Sequence, residues 1–206
     1  MTPERMGGVG AILAEEIERA ETAGITARGV ILVEGVSDQL AVETLAKRYG
    51  RDLDTESVVV IPIAGATNIG RFLDVLGPAG YDVTLAGLCD EAEDPAFRYA
   101  LERGGMGSHL DQLAMERLGF FVCEPDLEGE LIRALGPETM LAVIGSQGHL
   151  RRFRSFQNQP AQRHKTIEAQ LLRWLGNSKI HYAPLMVEAL DLEDVPRPMK
   201  GVLAYV

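Results

Sequence analysis

The pattern of apolar and polar positions divides the chain into a strand-bearing first part and a helical second part. Residues 9–23 put Ile12, Leu13, Ile17 and Ala20 on one face at the spacing of an amphipathic helix. Gly29–Val33 (GVILV) is a continuous apolar run, the pattern of a strand covered on both faces. A helix over 37–49 follows, with Ser37 or Asp38 as its cap and Gly50 as its stop. Ser57–Ile63, Asp82–Leu88 and Gly119–Cys123 repeat the buried-strand pattern. Between them, 68–76 reads as a helix, and 95–117 as helix in pieces broken at Gly104-Gly105; residues 127–135 open another. Strand and helix alternating at this rhythm predict βαβ units. The expected fold is therefore α/β, a mostly parallel four-stranded sheet with helices on both faces. Beyond about residue 137 the strand pattern stops. Residues 138–144, 148–156, 164–175 and 179–190 read as helical, and Pro196 and Pro198 predict an extended, irregular tail over 195–206. The expected organisation is a core over 1–145, including the N-terminal helix, and a helical C-terminal extension over 146–206 packed on it.

Composition sharpens this only through charge. A chain of 206 residues that is 46% hydrophobic and 24% charged can bury a proper core. No apolar run approaches the roughly 18 residues needed to span a bilayer, and no basic-then-apolar leader with a cleavage site is visible. Cys89 and Cys123 make no disulfide framework, which fits a reducing, cytoplasmic setting. The net charge of −10 argues at first against a nucleic-acid partner, but it is unevenly spread: −14 over 1–145, +6 over 146–180 and −2 over 181–206. Arg151, Arg152, Arg154, Arg163 and Lys165 head the basic segment, which suits a polyanion on that face. Its aromatics, Phe153, Phe156 and Trp174, read as packing residues of the extension, and His149, His164 and His181 as surface polar groups.

The candidate chemistry lies at the strand ends. In open parallel sheets ligands collect at the carboxyl ends of the strands, and three of these strands run into acids. The first continues as Glu34-Gly35-Val36-Ser37-Asp38, the third as Asp90-Glu91-Ala92-Glu93-Asp94, and the fourth as Glu124-Pro125-Asp126-Leu127-Glu128-Gly129-Glu130. Singly, Asp38, Asp94 and Glu130 read as helix caps. Together, Glu34, Asp90, Asp126 and Glu128 would repel one another unless a cation sat among them, and oxygen donors suit Mg²⁺ or Mn²⁺. Zinc is disfavoured, because no His or Cys pair has ligand spacing.

With ILVEGVSD after the first helix, the acidic end of the third strand and the later EPDLEGEL, residues 28–135 resemble a TOPRIM domain, in particular that of the OLD (overcoming lysogenization defect) family of endonucleases. FQNQPAQRH and NSKIHYAPLMVEAL extend the likeness into the C-terminal part. The resemblance makes Glu34 the TOPRIM glutamate, Asp38 the second acid of an EGxSD motif and Asp90 the first acid of a DxD. Asp126 and Glu128 become the later acidic pair, and Lys179 a basic residue near the scissile phosphate. Position 92 is Ala where the pattern has its second Asp; Glu93 is the preferred substitute, ahead of Glu91. The implied metal ligands are Glu34, Asp38, Asp90, Glu93, Asp126 and Glu128, with Glu34 and Lys179 as the catalytic pair. The implied activity is Mg²⁺- or Mn²⁺-dependent cleavage of DNA, with RNA as another substrate. A non-catalytic module binding nucleic acid or an ATPase partner, or another TOPRIM chemistry of primase or RNA-maturation type, are the alternatives.

Gly65-Ala66-Thr67-Asn68-Ile69-Gly70 has the glycine spacing of a P-loop, but Arg71-Phe72 stands where Lys-Ser/Thr is required, so it reads as a strand-to-helix turn. OLD proteins also carry an ATPase domain; the 206 residues hold no room for one, so ATP dependence would need a separate protein.

Overall fold

The computed structural model describes residues 3–206, with side chains from Ala11 onward except at Leu13. The expected inward placement of Leu13 thus lies outside the described residues. Four strands, β1 (Gly29–Val33), β2 (Val58–Pro62), β3 (Thr84–Asp90) and β4 (Phe120–Cys123), run parallel in the order β2-β1-β3-β4. Their apolar runs are continuous because both faces are covered. Val30 and Leu32 face one core with Leu85, Phe120 and Val122, while Ile31 and Val33 face the other with Val60, Ala86 and Leu88. Gly87 in β3 has a close-packing reason to lack a side chain, since an added Cβ would lie 2.8 Å from the Phe120 ring on β4 and 3.0 Å from the Leu32 carbonyl.

One face is covered by α1 (Pro3–Thr26), α3 (Ile69–Leu76), α4 (Asp94–Arg103) and α5 (Gln112–Arg117). The other carries α2 (Val36–Arg48), α6 (Leu127–Ser146), α7 (Leu150–Gln157), α8 (Ile167–Leu175), α9 (Lys179–Ala189) and α10 (Arg197–Tyr205). The helices after residue 146 share a single core with β1, β2, β3 and α2, into which Phe153, Leu171, Tyr182, Met186 and Val202 are all sunk. No helix among the described residues is long and apolar enough to cross a membrane.

Several local expectations are corrected. In α1, Ala20 is buried, but Ile12 is 53% exposed, so the apolar stripe is covered only towards the C-terminal end of the helix. The cap of α2 is Gly35, not Ser37 or Asp38; Asp38 sits in the first turn and its Oδ2 accepts the Gly35 N–H at 2.9 Å, a reach-back that satisfies a free helix-end donor. The separation of two helices near residue 136 holds, however: within α6 (127–146), Gly136 (φ 69°) ahead of Pro137 leaves the helical conformation and kinks the chain.

The largest difference is the tail. Residues 195–206 are not extended: Pro196 is the residue before α10 and Pro198 occupies its first turn, where a missing N–H costs nothing. The proline pair starts a helix. Met199, Val202 and Leu203 bury its inner face against the sheet, and the Arg51 guanidinium holds the carbonyls of Leu203 and Val206 while pairing with Glu56. Leu203→Ala should cost about 2–5 kcal/mol, the usual range for a buried leucine. Urea unfolding with an unchanged slope and a lowered midpoint is the expected readout; a shift under about 0.5 kcal/mol would instead mark a solvated tail.

Candidate metal centre at the strand ends

β1 is followed to one side by β2 and to the other by β3, so the chain changes direction between β1 and β3. The crevice beyond the carboxyl ends at such a switch is where parallel sheets bind ligands. Glu34 follows β1 directly, and its carbonyl accepts the Gly65 N–H at 3.2 Å, tying the β1 end to the turn after β2. That turn is no phosphate loop: Asn68 Nδ2 donates to the carbonyls of Ile63 and Ala64 at 3.1 and 2.9 Å and closes it on itself. Asp90 is the last residue of β3, and Glu93 ends the 3₁₀ turn Glu91–Glu93 that follows. Asp126 caps α6, its Oδ1 accepting the Gly129 N–H at 2.8 Å. Its role as a cap is therefore direct, where sequence reasoning placed it only among the ligands. Glu128 lies in the first turn of α6 and is 2% exposed. Glu130, read as a cap, instead accepts the Glu124 N–H at 3.0 Å and pairs with Arg133.

Lys179 reaches this group from the far end of the sequence. As the first residue of α9 it donates from Nζ to Glu128 Oε2 at 2.6 Å and stands 3.7 Å from Asp126 Oδ2. Burial alone would lower its pKa, but the hydrogen bond and charge of Glu128 raise it, so the ammonium is firmly held. The carboxylates show the opposite strain. Burial pushes Asp38 up to about 7, with Glu128 and Glu34 adding to it, and only the Gly35 N–H and Lys179 opposing. Asp90 is pushed up to about 7 by burial, then by Glu34, Asp38 and Asp126. Glu34 is raised by burial and next by Glu93. The acids of three strand ends thus feel one another as a single cluster, and Glu93 belongs to it, while Glu91 is exposed outside.

Among the described residues, no three His, Cys, Asp or Glu side chains converge as they would around an ion. The donor set nevertheless fits a hard divalent cation. Glu34 Oε2 and Glu128 Oε1 are buried carboxylate oxygens with no hydrogen-bond partner, and buried acceptors of this kind are stabilised by a proton or a cation. Cys89 and Cys123 contribute nothing to such a site: both are free and buried, with thiol pKa values raised by desolvation.

Residues 25–91 match the family described as the overcoming lysogenization defect protein-like TOPRIM domain. The chain resembles the TOPRIM portion of OLD proteins. The C-terminal region of the Xanthomonas campestris pv. campestris OLD protein superposes with a TM-score of 0.65 at 26% identity, over 87% of this chain and 94% of that one. The C-terminal region of the Burkholderia pseudomallei OLD protein superposes with a TM-score of 0.64 over 87% and 96%; at 21% identity it speaks for the fold alone. No curated protein matches the chain. An OLD-like TOPRIM segment marks a metal-binding domain of the nucleic-acid-handling kind, and it spans Glu34, Asp38 and Asp90.

The proposed nucleic-acid contacts separate into two groups. Arg151 and Arg152, in the first turn of α7, line a groove with Phe156 and Trp174. Arg154, Arg163 and Lys165 are exposed outside it. Sequence reasoning missed His149 and His181, which line a groove together with Lys179 and Ser37. The only available signal was the position of His181 two residues from Lys179 in the KIHY segment.

The raised aspartates make stability depend on pH. An aspartate titrates near about 3.9 in an unfolded chain. Between that value and about 7, the folded protein holds protons that the unfolded chain has lost. Stability therefore falls as pH rises through this window. Metal-free protein should melt at a lower temperature at pH 8 than at pH 5, Asp38→Asn should flatten the difference, and Mg²⁺ or Mn²⁺ should restore Tm at pH 8. A differential scanning fluorimetry series with and without chelator measures all three.

Proposed function

We propose that the protein is a Mg²⁺- or Mn²⁺-dependent nuclease acting on DNA phosphodiester bonds at the strand-end carboxylates. The observation that carries this reading is the pair of partnerless buried oxygens, Glu34 Oε2 and Glu128 Oε1, inside a cluster that, among the described residues, is paired with Lys179 alone. Glu34, Asp38, Asp90, Glu93, Asp126 and Glu128 would hold the metal. A divalent ion there would supply the positive charge that lets an acidic crevice accept phosphate and that stabilises attacking and leaving oxygens.

The chain's own groups account for the rest. Glu34, with its raised pKa and one unpaired oxygen, is suited to take a proton from an attacking water or give one to the departing oxygen. The Lys179 ammonium, half-exposed at the start of α9, is suited to meet charge that develops on phosphate. Arg151 and Arg152 extend positive charge away from the acids along one side, where they would position a backbone without reading sequence. The OLD-like TOPRIM match supports the same class of chemistry.

Purified protein should nick supercoiled plasmid in Mn²⁺ or Mg²⁺ and not in EDTA. Glu34→Ala should lower the rate at least about a hundredfold, the usual scale for losing a proton-transfer group, and Lys179→Met should lower it too, measured at a temperature where circular dichroism shows the destabilised variant still folded. Cleavage that survives Glu34→Ala would sink the reading. Calorimetry in which neither ion binds would point instead to a non-catalytic module serving nucleic acid or an ATPase partner, the reading to which Ala92 in place of an aspartate lends weight.

A further inference from the structure

Two grooves are lined, respectively, by Lys179 with its neighbours and by the head of the basic segment. The first, of about 880 Å³, begins at Lys179 and Ser37, has Val36 and Ile180 on its rim, and continues past His181 and His149. The second, of about 550 Å³, is lined by Arg151, Arg152, Ser155, Phe156, Gln159 and Trp174. Their linings share no residue but come next to each other in sequence at the start of α7, where His149 precedes the helix and Arg151 and Arg152 lie in its first turn. Arg151 and Ser155 form one row at i and i+4, with Arg152 and Phe156 in the row beside it, and Gln159 follows just past the helix end. Neither groove is lined by an acidic side chain, although acids outnumber bases 30 to 20 in the whole sequence.

The walls of these grooves are unlike a surface that reads phosphates alone. Val36 and Ile180 are 45% and 58% exposed at the mouth of the first. His149 is oriented by a 2.7 Å hydrogen bond between its Nδ1 and the buried Tyr182 hydroxyl, and the His181 ring lies 6.3 Å from it. In the second groove, Phe156 and Trp174 are half-buried with ring centroids 5.5 Å apart. Both lean on Phe153, which is fully buried. Phe153 is sunk in the core and Phe156 and Trp174 pack against that core, as the sequence pattern expects, while the latter two also line the groove. Arg151 and Arg152 are exposed and make no ion pair among the described residues.

Aromatic and apolar walls flanked by guanidinium groups match a nucleotide whose base is free. In a duplex the faces of a base are covered by its neighbours, and only its edges and the backbone can be touched. A ring platform with arginines beside it is instead how single strands are gripped, base on ring and phosphate on cation. We propose that the two grooves form one track for an unpaired nucleic-acid strand, with a base seated against Phe156 and Trp174 and the backbone running past Arg151 and Arg152 to Lys179. The proposal rests on the reading of the carboxylates as a phosphodiester site and names its substrate class, a single-stranded segment or overhang.

Trp174 is the only tryptophan in the chain, so its fluorescence reports on the second groove directly. Protein in EDTA, where no cleavage occurs, is titrated with oligothymidylate, with oligouridylate and with a blunt duplex of equal length. The single strands should quench Trp174 and bind about tenfold more tightly than the duplex; whichever of the two quenches at lower concentration identifies DNA or RNA as the occupant. Phe156→Leu, which keeps apolar bulk and removes the ring, should weaken single-strand binding about tenfold and leave duplex binding unchanged. Replacing both Arg151 and Arg152 by Gln should weaken single-strand binding and lower its salt dependence, a test that stands even where Phe156→Leu fails to fold. Absence of quenching, equal affinity for duplex, or unaltered binding by the double arginine variant overturns the track. Should quenching fail while metal-dependent plasmid cleavage persists, the strand track falls and the nuclease reading stands. Quenching without cleavage in any metal keeps the track and removes the nuclease.

Discussion

The arrangement of this site follows from the cost of placing carboxylates beside one another out of water. Three strand ends deliver acids to one crevice, and each raises the pKa of the next. A single ammonium, Lys179, offsets part of that repulsion from a helix more than fifty residues further along the chain than Glu128. The ion pair explains why the helices after residue 146 belong to the same structure as the sheet. Without α9 over α2 and α6, Glu128 would be a buried charge with no counter-charge, which is strongly destabilising. The C-terminal helices are therefore part of the electrostatics of the strand ends as well as of the apolar core.

The parts of the fold that depend on local pattern were legible in the sequence. The four strands announce themselves by apolar runs, because a strand covered on both faces has no polar positions to confuse the period. Glu34 and Asp90 were legible because each stands at the end of such a run, and Asp38 because it opens the helix that follows the first; parallel topology brings these ends together. What was not legible depends on contacts distant in sequence. Prolines 196 and 198 carry the same residue chemistry whether they end a strand or open a helix; the sheet surface awaiting Met199, Val202 and Leu203 decides between the two. Gly35 took the cap of α2 because Asp38 was free to turn back onto its N–H, a choice that the three neighbouring residues permit equally. His149, in the turn before α7, meets His181 and Tyr182 of α9 only through contacts distant in sequence, so nothing in their separate surroundings marked them.

The opposed charges of the two parts also acquire a spatial meaning. A net charge of −10 looks unfavourable for contact with a polyanion when averaged. In the folded protein, several acids are gathered at one point and the groove residues leading from that point include none. Repulsion and attraction are then a few side chains apart, and a cation at the acids changes the sign of the first while leaving the second as it is.

Arg48 adds a mechanical aspect to this picture. At the last turn of α2, its Nη1 holds the carbonyls of Val187 and Leu190 at the far end of α9, at 2.8 and 2.7 Å. The opposite ends of the same two helices carry Asp38 and Lys179. Arg48 is ten residue steps along α2 from Asp38, so the strap lies about 15 Å from the acids. The two helices are thus braced like the arms of a calliper, fixed at the heel while the tips hold unlike charges. Any change in the gap between carboxylate and ammonium must bend an arm or loosen the heel, so the tolerance of the tips is set at a place remote from both charges.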